Sequence, residues 1–298
     1  MATEEAANSA SHPIKQDGRS GRIAFQGEPG ANSDTACRNV FPNMEPVPCP
    51  TFEDAFEALK SGSADLAMIP IENTLAGRVA DIHQLLPNSG LHIIAEYFLP
   101  IDFHLMALPG VSRSAIETVY SHIHALGQCR DIIRDNKWKG VVAGDTAGAA
   151  KMIRDTGNTK AAALSPRLAA QLYDLNILQE SVQDGENNVT RFVILSRQPE
   201  VPSPDDGPAI TTFIFRVRNV PAALYKVMGG FATNGVNMTK LESYQIGGTF
   251  TATLFYADIE GHPDEANVAL AMEEMGFFSA ERRVLGVYPA SPQRATQK

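Results

Sequence analysis

Short apolar runs, small polar clusters and stretches with apolar residues at helical spacing follow one another along most of this chain. Ile23-Ala24-Phe25 runs into Gly27-Glu28-Pro29-Gly30-Ala31-Asn32-Ser33, which predicts a strand, a glycine-rich turn and a helix capped by Asn32 or Ser33. Such a turn offers backbone N–H groups at a helix start, where anions are stabilised. It lacks the third glycine and the spacing of a dinucleotide fingerprint. Thr51 caps a second helix, with apolar residues from Phe52 to Leu59 at helical spacing and Gly62 past its end. The apolar run 65–71 predicts a buried strand. It opens into the polar cluster Glu72-Asn73-Thr74-Leu75-Ala76-Gly77-Arg78-Val79, which precedes a helix over 79–86. A helix cap needs one of Asn73 and Thr74; several polar groups together point to a ligand as well.

Strands follow over 91–98 and 101–108, and Pro109-Gly110 turns the chain. Residues 118–129 read as strand, loop and helix. The run 141–143 leads into Gly144-Asp145-Thr146-Ala147-Gly148, whose small side chains suit either close approach of a ligand or tight helix packing. A strand over 161–164 precedes a helix that begins at Ser165-Pro166 and reaches Tyr173. Asn187-Asn188-Val189-Thr190-Arg191-Phe192-Val193-Ile194-Leu195 starts polar and becomes a buried strand. It holds a hydroxyl and a guanidinium at the start of a rigid element. Arg191 offers a planar fork of donors that suits a carboxylate, and Thr190 can donate or accept. The repeat of strand, small-polar loop and helix predicts a mainly parallel sheet with helices on both faces. Its polar strand ends would collect in a cleft between two α/β lobes.

The Pro-, Asp- and Ser-rich stretch 199–208 reads as a linker. Beyond it the order is strand 211–217, helix 221–233, strand 236–244, strand 249–259, helix 266–275 and strand 283–288. That βαββαβ order is ferredoxin-like, and its open sheet invites a second copy. A net charge of -9 excludes broad attraction to nucleic acid and makes individual arginines matter. Three cysteines, Cys37, Cys49 and Cys129, fit neither a disulfide framework nor a zinc site and suit a reducing cytoplasm. His122 and His124 lack further ligands at metal spacing. No apolar run reaches the roughly 20 residues that span a bilayer. The polar first 20 residues are no secretory signal and read as a disordered tail.

Four motifs, in this order along the chain, resemble the prephenate dehydratase family with its C-terminal ACT regulatory domain. They are Ile69-Pro70-Ile71 running through Glu72-Asn73-Thr74 to Val79, Ser121-His122-Ile123-His124-Ala125-Leu126-Gly127-Gln128-Cys129, Asp145-Thr146-Ala147-Gly148-Ala149-Ala150, and Asn188-Val189-Thr190-Arg191-Phe192. The resemblance covers residues 22–290. It implies a bilobal α/β catalytic domain like a type II periplasmic binding protein over 21–198, with lobes of about 21–98 plus 177–198, and 99–176. An ACT domain over 209–290 and a tail over 291–298 would follow. Too few residues precede Gly21 for a helical chorismate mutase unit, so a stand-alone dehydratase is expected.

The implied reaction converts prephenate to phenylpyruvate with loss of CO2 and water, and needs no metal or organic cofactor. By resemblance Thr190 is catalytic and acts on the departing ring hydroxyl. Arg191 would hold a carboxylate with Phe192 packed behind it, and Asn73, Thr74, Gly30, Ser33, Thr146 and Ala147 would bind the rest of the substrate. L-phenylalanine would act as allosteric inhibitor at Ala222, Ala223, Leu224, Asn237, Glu242 and Ser243, in a homodimer or homotetramer of paired ACT domains. The family's usual Pro-Gly-Ala-Leu is Pro221-Ala222-Ala223-Leu224 here, and its Glu-Ser-Arg-Pro is Glu242-Ser243-Tyr244-Gln245. Its Thr-Phe-Ser turn is Ala31-Asn32-Ser33, and a Pro-Gln in the histidine motif is Ile123-His124. Two alternatives are an arogenate dehydratase and a sensor of amino or keto acids without chemistry.

Overall fold

A computed structural model describes residues 18–185, 187–245 and 253–296. The expected N-terminal tail and the start of the strand expected over 249–259 lie largely outside the described residues. The chain begins with β1 (Gly21–Gln26), α1 (Asn32–Val40), β2 (Met44–Cys49), α2 (Phe52–Lys60), β3 (Leu66–Asn73), β4 (Gly77–Arg78), α3 (Ala80–Asn88) and β5 (His92–Pro100). It continues with β6 (His104–Ala107), β7 (Thr118–Ser121), α4 (Ile123–Gln128), α5 (Arg130–Asp135), β8 (Lys139–Val142), α6 (Thr146–Thr156), β9 (Ala161–Ser165), α7 (Arg167–Leu172), β10 (Asn176–Gln179) and β11 (Val189–Ser196). Past the proline-rich stretch come β12 (Ala209–Val217), α8 (Ala223–Thr233), β13 (Met238–Gln245), β14 (Thr253–Glu260), α9 (Ala266–Phe278), β15 (Ser279–Pro289) and α10 (Gln293–Thr296).

The first sheet has the order β2-β1-β3-β11-β5, with β4 beside β3, and β1 is parallel to both β2 and β3. The second sheet, β10-β6-β9-β7-β8, is mixed. β7 lies parallel to β8 and β9, while β6 is antiparallel to β9 and β10. The expectation of mainly parallel pairing is corrected there: β6 enters from a strand of the other sheet, not through a βαβ crossover within its own, and runs against both of its neighbours. The third sheet, β13-β14-β12-β15, is antiparallel. With α8 and α9 between its strands it has the ferredoxin-like βαββαβ order. The class is therefore α/β with a separate ferredoxin-like sheet, as the sequence pattern implies.

Contacts divide the chain into two units, one of 18–82 with 97–192, the other containing 83–96 and 193 onward. β5 and β11 each run from one unit into the other.

In the first unit, Ala147, Ala149, Ala150, Ala163 and Ala169 form an alanine-rich core with Met106 and Ile153. Such small residues let backbones approach closely. Gly30 is the extreme case, because a Cβ there would lie 2.8 Å from the Cα of Ala169. Its φ of +89° is also unfavourable to any residue with a side chain. The Tyr173 hydroxyl donates to the Pro29 carbonyl at 2.7 Å, and Lys151 meets Glu28 at 2.9 Å, so the turn is fixed from three sides.

The α1 cap differs from expectation. Ala31 occupies the cap position without a side-chain bond. Asp34, one turn in, fixes the loop instead, its carboxylate accepting from the Gly30 N–H at 2.8 Å and from Arg38 Nε at 2.8 Å. At α2 the expected Thr51 cap is present as a reciprocal capping box with Asp54.

In the second unit, Phe213, Phe215, Phe231 and Phe255 build the core between the sheet and its two helices. α8 starts two residues later than the expected 221, because Ala222 at its cap is left-handed with φ 63°. The segment read as a tail over 291–298 contains α10. Arg294 grips the buried Glu96 with two bonds, at 2.6 and 2.8 Å, and the Ser291 N–H adds a third at 3.0 Å. Among the described residues no helix is long and apolar enough to cross a membrane.

Candidate functional site

Side chains alternate across a strand, so one face of β11 and the residue just before it carries Asn188, Thr190 and Phe192 while the other carries Val189 and Arg191. The first three line a cavity of about 700 Å³ in the first unit, together with Asn73, Ser33 and Thr146. Gln128 from α4 and His122 and His124 beside it face the same space. The hydroxyl expected to do chemistry therefore opens onto a cavity.

Arg191 does not line that cavity. Its side chain is 4% exposed, its guanidinium meets Glu72 Oε1 at 2.9 Å, and it lies 5.9 Å over the Phe98 ring. The period of two that turns Thr190 toward the cavity turns its neighbour away. The expected carboxylate grip by Arg191 gives way to a buried ion pair beneath the strand. Three other expected contacts are also absent from the cavity lining. Gly30 packs against Ala169. Ala147 is fully buried in the alanine core. Thr74 pins the incoming strand: its hydroxyl donates to the Asn187 carbonyl at 2.7 Å and accepts from the Val189 N–H at 2.9 Å. Arg78 of β4 lines the cavity, as do the carboxylates Glu53, Asp81 and Asp145.

Asn73 is the junction of the site. Its Oδ1 accepts from the backbone N–H groups of Leu75 and Ala76 at 2.9 and 2.8 Å. Its Nδ2 faces Thr190 Oγ1 at 3.0 Å, Asn188 Oδ1 at 2.8 Å and the Val189 carbonyl at 3.2 Å. Asn188 in turn donates through Nδ2 to Gln128 Oε1 at 2.7 Å. Gln128 and Asn188 were not singled out as site residues from sequence. The available signal was their position inside the histidine motif and two residues before Thr190.

His122 is neutral-leaning. Burial, then the neighbouring His124, pushes the His122 pKa below its ordinary 6.5, against a weaker pull from Asp145. Its Nδ1 accepts from the His124 N–H at 3.4 Å. Burial, assisted by Asp184, raises the Cys129 thiol to about 12, which leaves it unfit as a nucleophile at neutral pH.

The expected effector residues divide. Ala222, Ala223 and Leu224 line a groove of about 420 Å³ in the second unit, with Arg218 and Tyr225. Asn237, Glu242 and Ser243 are not part of it. Asn237 donates to Glu260 at 3.1 Å, and Glu242 and Ser243 belong to the edge strand β13.

The prephenate dehydratase family model matches residues 23–200, the stretch that builds this cavity. The chain belongs to the prephenate dehydratase family. A member from Komagataeibacter europaeus, a bifunctional N-acyl-homoserine lactone acylase/prephenate dehydratase, is 48% identical over 91% of this chain and 97% of its own. The chloroplastic arogenate dehydratase/prephenate dehydratase 1 of Arabidopsis thaliana is 37% identical over 90% of this chain and 72% of its own. The structure of a prephenate dehydratase from Arthrobacter aurescens in complex with L-Phe matches with a TM-score of 0.82, at 30% identity and over 90% of each chain. As a prephenate dehydratase family member this chain is an enzyme, a dehydratase of the lyase class in phenylalanine biosynthesis.

Proposed function

We propose that the protein converts prephenate to phenylpyruvate, with 21–198 as catalytic domain, 199–208 as linker and 209–290 as an ACT domain that binds L-phenylalanine as inhibitor. Electrons of the breaking carboxylate C–C bond enter the ring, CO2 leaves, and the ring C–O bond breaks to release hydroxide, which takes up a proton as water. Aromatisation supplies much of the driving force, so the protein orients the ring and assists the departing oxygen.

The observation that carries this reading is the polarity of Thr190. Asn73 Nδ2 can only donate, so Thr190 Oγ1 accepts there and its own hydrogen is left to point into the cavity. Thr190 is then a fixed donor for the leaving hydroxyl. A neutral hydroxyl is a weak acid, which makes that fixed direction its main contribution. Ser33, Asn73, Thr146 and Phe192 contact substrate, whereas Gly30, Thr74, Ala147 and Arg191 hold the frame. Arg78 supplies the guanidinium for a substrate carboxylate.

The purified protein with prephenate should form phenylpyruvate, and L-phenylalanine should slow it. Thr190→Ala should lower kcat by about 10²–10³-fold, the usual loss for one preorganised donor, with the fold intact. Turnover unchanged by that substitution would discard the role. Arogenate is the second candidate substrate, because the Arabidopsis relative carries both names; competition between the two decides. The enzyme is proposed to work as a cytoplasmic homodimer or homotetramer.

A further inference from the structure

A backbone N–H can only donate, and that fact fixes the direction of a whole chain of amides in the cavity wall. Leu75 and Ala76 donate to Asn73, so the atom that receives them is Oδ1 and the other end of that amide is the donor. Asn188 must therefore meet Asn73 with Oδ1 and present Nδ2 to the next residue. Gln128 must accept with Oε1, at 2.7 Å. This leaves Gln128 Nε2 without a partner among the described residues, at a position where Gln128 lines the cavity. We infer that Asn188 is a positioning residue of the dehydratase. It converts the fixed polarity of the Asn73 turn into a second donor, Gln128 Nε2, aimed at the substrate beside the Thr190 hydroxyl.

Asn188 is well suited to this. It is 5% exposed, so water does not compete for its amide. Its backbone carbonyl accepts from the Ile101 N–H at 2.8 Å, which holds the residue independently of its side chain. One side chain thus links the β3–β4 turn to the end of α4 and makes two donors agree in direction. An anionic substrate that releases hydroxide requires donors here; an acceptor in the same place would repel it. The role rests on the dehydratase reading above and extends it to a residue that does not itself reach the ring.

The test is Asn188→Asp, which keeps the shape and removes the donor. The introduced carboxylate still accepts from Asn73 but repels Gln128 Oε1. Gln128 then turns over, and an acceptor faces the substrate. The ratio of variant to wild-type kcat/KM for prephenate should fall about 100-fold at pH 8. It should recover as pH is lowered, because the protonated carboxyl again donates to Gln128. Burial raises that carboxyl above its ordinary value of about 3.9 and brings the recovery into reach. Gln128→Glu, whose carboxyl meets the same Asn188 donor from the cavity side, should show the same recovery and guards against an Asn188→Asp protein that does not fold. Asn188→Ala should lose activity with a ratio that does not vary with pH.

Unfolding midpoints near wild type, with recovery on the acid side, support the relay. A wild-type rate for Asn188→Asp, or a folded Asn188→Asp or Gln128→Glu whose ratio is as flat as that of Asn188→Ala, overturns it. Wild-type protein that turns over neither prephenate nor arogenate overturns the dehydratase reading itself, a separate outcome read in the same assay.

Discussion

Arg191 is the residue whose behaviour departs most from a motif-based reading. If it bound substrate, Arg191→Ala would raise KM and leave stability alone. Its guanidinium is instead buried against Glu72 and the Phe98 ring. Removing one partner of a buried pair costs about 3–5 kcal/mol, and less where the other partner reaches solvent, as Glu72 does at 32% side-chain exposure. We expect Arg191→Ala to lose roughly 2–3 kcal/mol in denaturant unfolding. A KM effect without loss of stability would reverse this assignment. The presence of a polar hinge before a buried strand was legible in the residues from Asn187 to Leu195. Its facing was not. A one-residue change of register exchanges Thr190 and Arg191 between cavity and core, and that register is set by partners far away in sequence.

At the scale of elements, the Glu28–Ala31 turn is where geometry allows least. Ala169 lies against Gly30 so closely that a single methyl group has no room, and the positive φ adds backbone strain. We expect Gly30→Ala to cost about 2 kcal/mol or more in thermal unfolding and to lower activity through the displaced Ser33. An unchanged midpoint would show that the turn yields. Strand β2 was not legible because Pro46 and Pro48 break the usual pattern. It survives as a strand at the edge of its sheet, where β1 is its neighbour and a missing N–H is tolerated. β10 was missed for a different reason: Asn176-Ile177-Leu178-Gln179 is too short to show alternation. The helices with strong caps, such as α2, were legible to within a residue or two.

At the scale of the molecule, titration of buried histidines should shape stability near neutral pH. Burial lowers the pKa of His104 and His122 from the ordinary 6.5. His104 also uses Nδ1 to accept from the Ser181 N–H at 3.2 Å, a bond that protonation there would break. The unfolded chain then binds more protons than the folded one in the window below 6.5. The stabilisation is complete above that value and is lost as pH falls through the lower folded values. Urea unfolding between pH 7.5 and 5.5 should show decreasing stability on acidification, and His104→Gln should flatten the trend. A slope of opposite sign, or one indifferent to the substitution, would refute the assignment.

The α/β class and the ferredoxin-like sheet were readable because strand and helix periods are strong in both parts of the sequence. That 83–96 belongs with the residues after 193 was not, since nothing local marks it. Glu96 is synthesised almost 200 positions before Arg294, the guanidinium that neutralises it. During translation that guanidinium reaches the anion only after all the intervening residues have been made. Locking of this part of the molecule therefore waits for the segment that carries Ser291 and Arg294, however early the strand that carries Glu96 was made.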